Sequence, residues 1–235
     1  MFPLRDSIPS QRRPAVTLGI IVACSAVFLF ELSLGPALQR FIEIWGFVPA
    51  RLFVPSAYPG GLAMAVFTMF FAMFLHGGWF HIIGNMWFLW VFGDNVEDAL
   101  GHAGYLSFYL VCGVAAALTQ GIMAPGSTVP MVGASGAIAG VLGAYLLWYP
   151  WSKVKTLVFL GFFITFWEIP APVFLLIWFA IQFFSGAVSL AETAAGGGVA
   201  FFAHVGGFLA GGAIAYILRR GGHIRPYPPT RILWE

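Results

Sequence analysis

The feature that most constrains this chain is the length of its uncharged apolar runs. No Asp, Glu, Lys or Arg occurs between Ala103 and Ala124, and the run that opens at Ala15 meets no charge until Glu31. A hydrocarbon slab of ~30 Å is crossed by about 20 helical residues, so each of these runs has the length of a membrane span. Composition agrees. Hydrophobic residues make up 60% of the 235 and charged residues 9%, with a mean hydropathy of +0.89, where a soluble domain carries about a quarter charged. Such a chain lacks the polar residues to cover a water-facing surface, and lipid must replace water as much of its solvent. The net charge of +2 gives no sign of a nucleic-acid partner. Cys24 and Cys112 both fall in apolar runs, which argues against a disulfide framework.

Six spans are expected: Ala15–Glu31, Trp79–Gly93, Ala103–Ala124, Met131–Tyr149, Ile169–Ala191 and Gly198–Leu218. The reading is an all-α membrane protein, a six-helix bundle with a long, partly membrane-inserted first loop from Ser33 to Gly78. Residues 1–14 and 219–235 are expected to be cytoplasmic tails around a membrane domain of 15–218. The first span reads as an uncleaved signal anchor. Thr156–Trp167 has the length of an interfacial or re-entrant segment. Basic residues set the orientation. Arg5, Arg12, Arg13, Lys153, Lys155, Arg219, Arg220, Arg225 and Arg231 share one side, and only Arg40 and Arg51 lie opposite. Both termini are therefore expected in the cytoplasm, and a bacterial plasma membrane is the expected setting.

Polar residues inside spans are expensive and default to functional hypotheses. Ser135 opens the fourth span, in Gly133-Ala134-Ser135-Gly136. It stands fourteen residues, roughly 21 Å of helix, above Tyr149. His204 stands equally far above Leu218 in span six, and His81 equally far above Asn95 in span two. Asn85 shares a face with His81, four residues on. Three parallel helices thus bring a serine, a histidine and a His/Asn pair to one depth. A serine needs an adjacent base to become a nucleophile, and an acyl-transfer intermediate needs donors where negative charge develops. The backbone N–H of Ser135, at a helix start, and the side chains of His81 and Asn85 are candidate donors. Gly136/Gly140 and Gly207/Gly211 each form a G-x-x-x-G, the spacing that lets membrane helices approach closely.

These motifs resemble the rhomboid family. Gly133–Gly140 is similar to its G-x-S-G nucleophile motif, and Ala203-His204-Val205-Gly206-Gly207 to its sixth-helix A-H-x-G-G. His81-Ile82-Ile83-Gly84-Asn85 is similar to its second-helix H-x-x-x-N. The resemblance covers roughly residues 65 to 215. It implies a rhomboid-like bundle and an intramembrane serine protease acting on transmembrane proteins within the bilayer. It further implies a Ser135–His204 dyad and no metal or cofactor. Two departures stand out. Met64-Ala65 occupies the place where many members have Trp-Arg in the first loop. Ala139 stands where some have an aromatic residue beside the catalytic histidine.

Blander readings compete. Ser135 alone reads as a small packing residue, and His81 and Asn85 as polar glue between helices. At the level of function, the rivals are an inactive relative that binds membrane proteins and a small transporter. Of the nine acidic residues, Glu192 is the one that neighbouring glycines could fold over the site. The expectation is nevertheless a dyad without a carboxylate.

Overall fold

A computed structural model describes residues 2–160, 163–191, 200–222 and 224. Glu192, the glycines at 196–198, and Arg225 and Arg231 of the C-terminal tail lie outside the described residues. Among the described residues eight α-helices form the bundle: α1 (Ala15–Ser33), α2 (Leu38–Trp45), α3 (Pro49–Phe53), α4 (Gly61–Phe71), α5 (Trp79–Met123), α6 (Ser135–Trp148), α7 (Ala171–Ala191) and α8 (Phe201–Arg220). Among the described residues, α1, α5 and α8 are long and apolar enough to cross a membrane, and α6 and the first part of α7 are shorter apolar helices.

α5 contains the second and third expected spans. Its one non-helical residue is Gly101, at φ 70° and ψ 164°, a left-handed backbone that glycine adopts without penalty. The chain reverses there. Asn85 and Ala116 would stand roughly 46 Å apart on a straight helix, yet both reach the start of α6. A Cβ built on Gly133 would lie 3.6 Å from Asn85 Nδ2, and one on Gly136 would lie 2.5 Å from Ala116 Cβ. α5 is therefore two arms, before and after Gly101.

α6 is the central helix. Every residue from Gly136 to Tyr145 is buried. Its most extensive partner is α8, and the two G-x-x-x-G faces meet. A Cβ on Gly207 would stand 1.9 Å from Gly136 O, and one on Gly211 would stand 2.0 Å from Gly140 O. Any side chain there would force the backbones apart. Below this contact the core fills with Tyr105, Tyr109, Tyr145, Trp148 and Tyr149, all fully buried. Cys24 and Cys112 are buried free thiols.

The first loop is built of α2, α3 and α4, and it is tied down without the Trp-Arg pair. Arg51 Nη1 donates to Ile44 O at 2.9 Å, and its Nη2 donates to Glu43 O, which ties α3 to the carbonyls ending α2. Phe47 and Met131 exchange two backbone hydrogen bonds, and Gly133 N–H donates to Ala72 O at 2.9 Å. The loop is thereby stitched to the segment that leads into α6.

The segment read by length as interfacial or re-entrant lies in two antiparallel β-strands. β2 (Lys153–Leu160) and β3 (Phe163–Pro170) pair antiparallel, and β1 (Phe2–Asp6) from the N-terminal segment pairs antiparallel with β2. The order is β1-β2-β3. Val154, Leu157, Val158, Ile164 and Thr165 supply the branched and apolar content that suits strands. The sheet adjoins the end of α6 remote from Ser135.

That end is fastened by carboxylates. Glu97 accepts hydrogen bonds from Val16 N–H and Thr17 N–H at 2.8 Å each and from Thr17 Oγ1 at 2.7 Å. Asp98 accepts from Gln11 N–H and Arg12 N–H. The free amides at the start of α1, which no local side chain caps, are thus satisfied from α5.

Candidate active site

Ser135 is the first residue of α6 and His204 lies in the first turn of α8. The start of α8 lacks a side-chain cap of its own, and Gln120 on the second arm of α5 accepts from Ala203 N–H at 3.2 Å. With the glycine contact between α6 and α8, this anchor sets the distance between the two side chains. His204 Nε2 stands 2.7 Å from Ser135 Oγ.

The other ring nitrogen of His204 is also engaged. Nδ1 lies 2.7 Å from Oε1 of Gln182 on α7. Sequence reasoning passed over Gln182, because it carries no charge and sits in an apolar span. Its signal was there to find, as the sole amide side chain between Ala171 and Ala191. The place of the aromatic absent at Ala139 is taken from other helices. Trp178 of α7 has its ring centroid 6.0 Å from the His204 ring, and Phe201 approaches edge-on at 6.4 Å.

Across the site stand His81 and Asn85 on the first arm of α5. Gly77 N–H donates to His81 Nδ1 at 3.3 Å, which leaves Nε2 as the ring nitrogen that carries hydrogen. His76 packs edge-on against His81 at 5.3 Å. Its backbone N–H donates to the buried carboxylate of Glu31. Asn85 Nδ2 is buried without a hydrogen-bond partner among the described residues. Gly133 lies between these groups and Ser135. Its φ of 125° disfavours any side chain, and a Cβ there would fall 2.7 Å from His81 Nε2. The motif glycine thus lets the backbone before Ser135 pass against the imidazole.

Ser135, His204, Gln182, His81 and Asn85 line one cavity of about 1210 Å³, bordered by residues 123–133 and by Trp178 and Phe201. Ser135 Oγ faces a base, first-turn amides of α6 lack intrahelical acceptors, and two further donors converge nearby. The arrangement has the parts that acyl transfer requires: a hydroxyl beside an imidazole, and hydrogen-bond donors without acceptors.

The fold and site define a class, a helical membrane protein with a serine–histidine pair sunk inside its bundle. The rhomboid domain family matches residues 63–221, and the chain belongs to the rhomboid family. It is 36% identical over 96 residues to rhomboid-like protein 11, chloroplastic, of Arabidopsis thaliana, covering 40% of this chain and 34% of that one. Against the human presenilin-associated rhomboid-like protein, mitochondrial, identity is 34% over 148 residues, 62% of this chain and 35% of that one. Against rhomboid-like protease 5 of Toxoplasma gondii it is 29% over 163 residues, 67% of this chain and 17% of that one. The chain spans about a third of the length of the first two relatives.

Proposed function

We propose that this chain is an intramembrane serine endopeptidase that hydrolyses peptide bonds in or beside transmembrane segments of other membrane proteins. The observation that carries the reading is the 2.7 Å approach of His204 Nε2 to Ser135 Oγ within a cavity of an apolar bundle. His204 takes the Ser135 proton as Oγ attacks the scissile carbonyl, and returns it to the leaving amine. The Ser135 backbone N–H, His81 Nε2–H and Asn85 Nδ2 stabilise the oxyanion. Water entering through the cavity then hydrolyses the acyl-enzyme.

The 14 residues of α6 span about 21 Å, less than the ~30 Å of hydrocarbon. Ser135 therefore sits below one membrane surface, the outer one if the basic residues mark the cytoplasm. Six crossings with both termini cytoplasmic complete the proposal. Two of the relatives named above belong to a chloroplast and a mitochondrion by name, so the bacterial plasma membrane rests on sequence reading alone. A transporter would continue a polar path past the pair, but α6 from Ala137 to Ala144 is apolar and buried.

The test is incubation of purified protein with a single-span model substrate, wild type beside Ser135→Ala. Cleavage by wild type alone is expected. Equal cleavage by folded Ser135→Ala would end the assignment, and equal inactivity of both would favour an inactive, substrate-binding relative.

A further inference from the structure

The proton transfer proposed above requires a particular tautomer of His204. Neutral imidazole carries one hydrogen, and only with that hydrogen on Nδ1 does Nε2 offer a lone pair to the serine. In a Ser-His-Asp arrangement a carboxylate enforces this choice. No carboxylate contacts His204 among the described residues. What contacts Nδ1 is Oε1 of Gln182, at 2.7 Å.

We propose that Gln182 is the positioning residue of this site, its amide oxygen holding the hydrogen on His204 Nδ1 and so turning Nε2 into the base. The inference rests on the serine-protease reading and extends it to a third helix. An amide oxygen only accepts, so this contact assigns the hydrogen to Nδ1. The opposite amide orientation would put the hydrogen on Nε2, pointing at Ser135, and leave no base. α7 delivers two groups to His204 from adjacent turns. Trp178 lies against the ring, and Gln182, four residues on, meets its Nδ1. The rotation of the imidazole and the place of its hydrogen are thereby set by one helix, in a molecule where Ala139 provides no ring contact.

A neutral amide is a weaker partner for the developing imidazolium than a carboxylate, since charge-assisted bonds are about twice as strong. Removing a carboxylate acceptor in such a triad lowers kcat about 10⁴-fold. For the amide a loss of about 10–100-fold is expected.

Two variants separate positioning from packing. Gln182→Met fills the same space and suits lipid but cannot accept a hydrogen bond. Gln182→Glu keeps an oxygen at the same reach and packs less well. Both are compared with wild type for kcat and KM on the model substrate, for labelling of Ser135 by a fluorophosphonate, and for thermal unfolding in detergent. Positioning predicts a 10–100-fold loss of kcat and of labelling rate in Gln182→Met at unchanged KM, with Gln182→Glu recovering most of it despite a lower unfolding midpoint. The reverse order, with Gln182→Met at wild-type rate and Gln182→Glu impaired, would overturn the inference while leaving the protease reading intact. Wild-type protein that takes no fluorophosphonate at Ser135 would instead overturn the reading beneath it.

Discussion

Asn85 and Asn95 lie on the first arm of α5, both buried, and their amide nitrogens have opposite surroundings. Asn95 Nδ2 donates to Asp6 at 2.9 Å and to Asp94 at 3.0 Å, and Tyr149 Oη donates to the Asn95 carbonyl. Asn85 Nδ2 has no partner among the described residues and faces the cavity beside Ser135. A buried donor left unpaired costs about 1–3 kcal/mol. The two ends of one helix arm thus separate two uses of polarity in an apolar protein. At the sheet end polar groups fasten α1, β1 and α6 to α5. At the other end Ser135, His204 and Gln182 bond to one another, and among the described residues Asn85 Nδ2 is left unpaired beside them. Each prediction below tests which use a residue serves.

The largest effect is expected at the pair itself. If Ser135 and His204 act as one unit, Ser135→Ala, His204→Ala and the double variant should all fall to background. Losses would be about 10⁵-fold or more and strongly non-additive, with unfolding midpoints close to wild type. A double variant whose loss is the product of two separate losses would dissolve the unit.

Asn85→Ala comes next. As an oxyanion donor, its removal should lower turnover about 10²–10³-fold while hardly altering stability, because the amide nitrogen has no partner among the described residues to forfeit. Stability lost at undiminished turnover would move Asn85 into the fastening class with Asn95.

Glu97→Ala should do the opposite. It removes the acceptor of three hydrogen bonds from the start of α1 and of a fourth contact from His102 Nδ1 at 2.6 Å. Hydrogen bonds to a charged group contribute about 1.5–3 kcal/mol, so a loss of about 3 kcal/mol is expected, measured as the denaturant midpoint in detergent. The kcat of the folded fraction should stay within about twofold of wild type, a surface-like ±0.5 kcal/mol on the site. A collapse of kcat in protein shown to be folded would mean that the two ends are coupled through α5.

The same contrast explains what could be read from sequence. Ser135, His204, His81 and Asn85 were legible because a polar group in an apolar run is improbable unless used, and a common 1.5 Å rise brings them to one depth. Gly136, Gly207 and Gly211 were legible from spacing and Gly133 from the resemblance of its motif, though the clash of a Gly133 side chain with His81 was not. Gln182 was missed because its significance lies wholly in a contact with a residue of another helix. Glu97 could not be read as the cap of α1, since nothing local in the chain links it to Val16 and Thr17. The pair of strands β2 and β3 was hidden by its length, which suits a short membrane segment equally well. β1 is a strand only because β2 is beside it.

The smallest effect concerns Asp6, where the fastening end meets pH. Asp6 belongs to β1, outside the membrane spans, and its carboxylate turns inward to Asn95 Nδ2 and to the hydroxyl of Tyr145. Burial pushes its pKa from 3.8 up to about 8. The folded protein therefore holds this proton more tightly than the unfolded chain does. The resulting stability is fully present below about pH 3.8 and is lost as pH rises toward about 8, beyond which it no longer changes. The slope cannot exceed about 1.4 kcal/mol per pH unit. Asp6→Asn keeps a hydrogen-bonding side chain of the same shape and removes the titration. Over the pH unit around neutrality the wild-type unfolding midpoint should drift down relative to Asp6→Asn, then run parallel to it above pH 8. Cleavage rates of the two folded proteins should coincide throughout. Parallel midpoints across the whole range would show that Asp6 is ionised in the fold, paired well enough with Tyr145 and Asn95 to offset its burial. A difference in cleavage rate with unchanged midpoints would instead carry the influence of this carboxylate up α5 to the cavity.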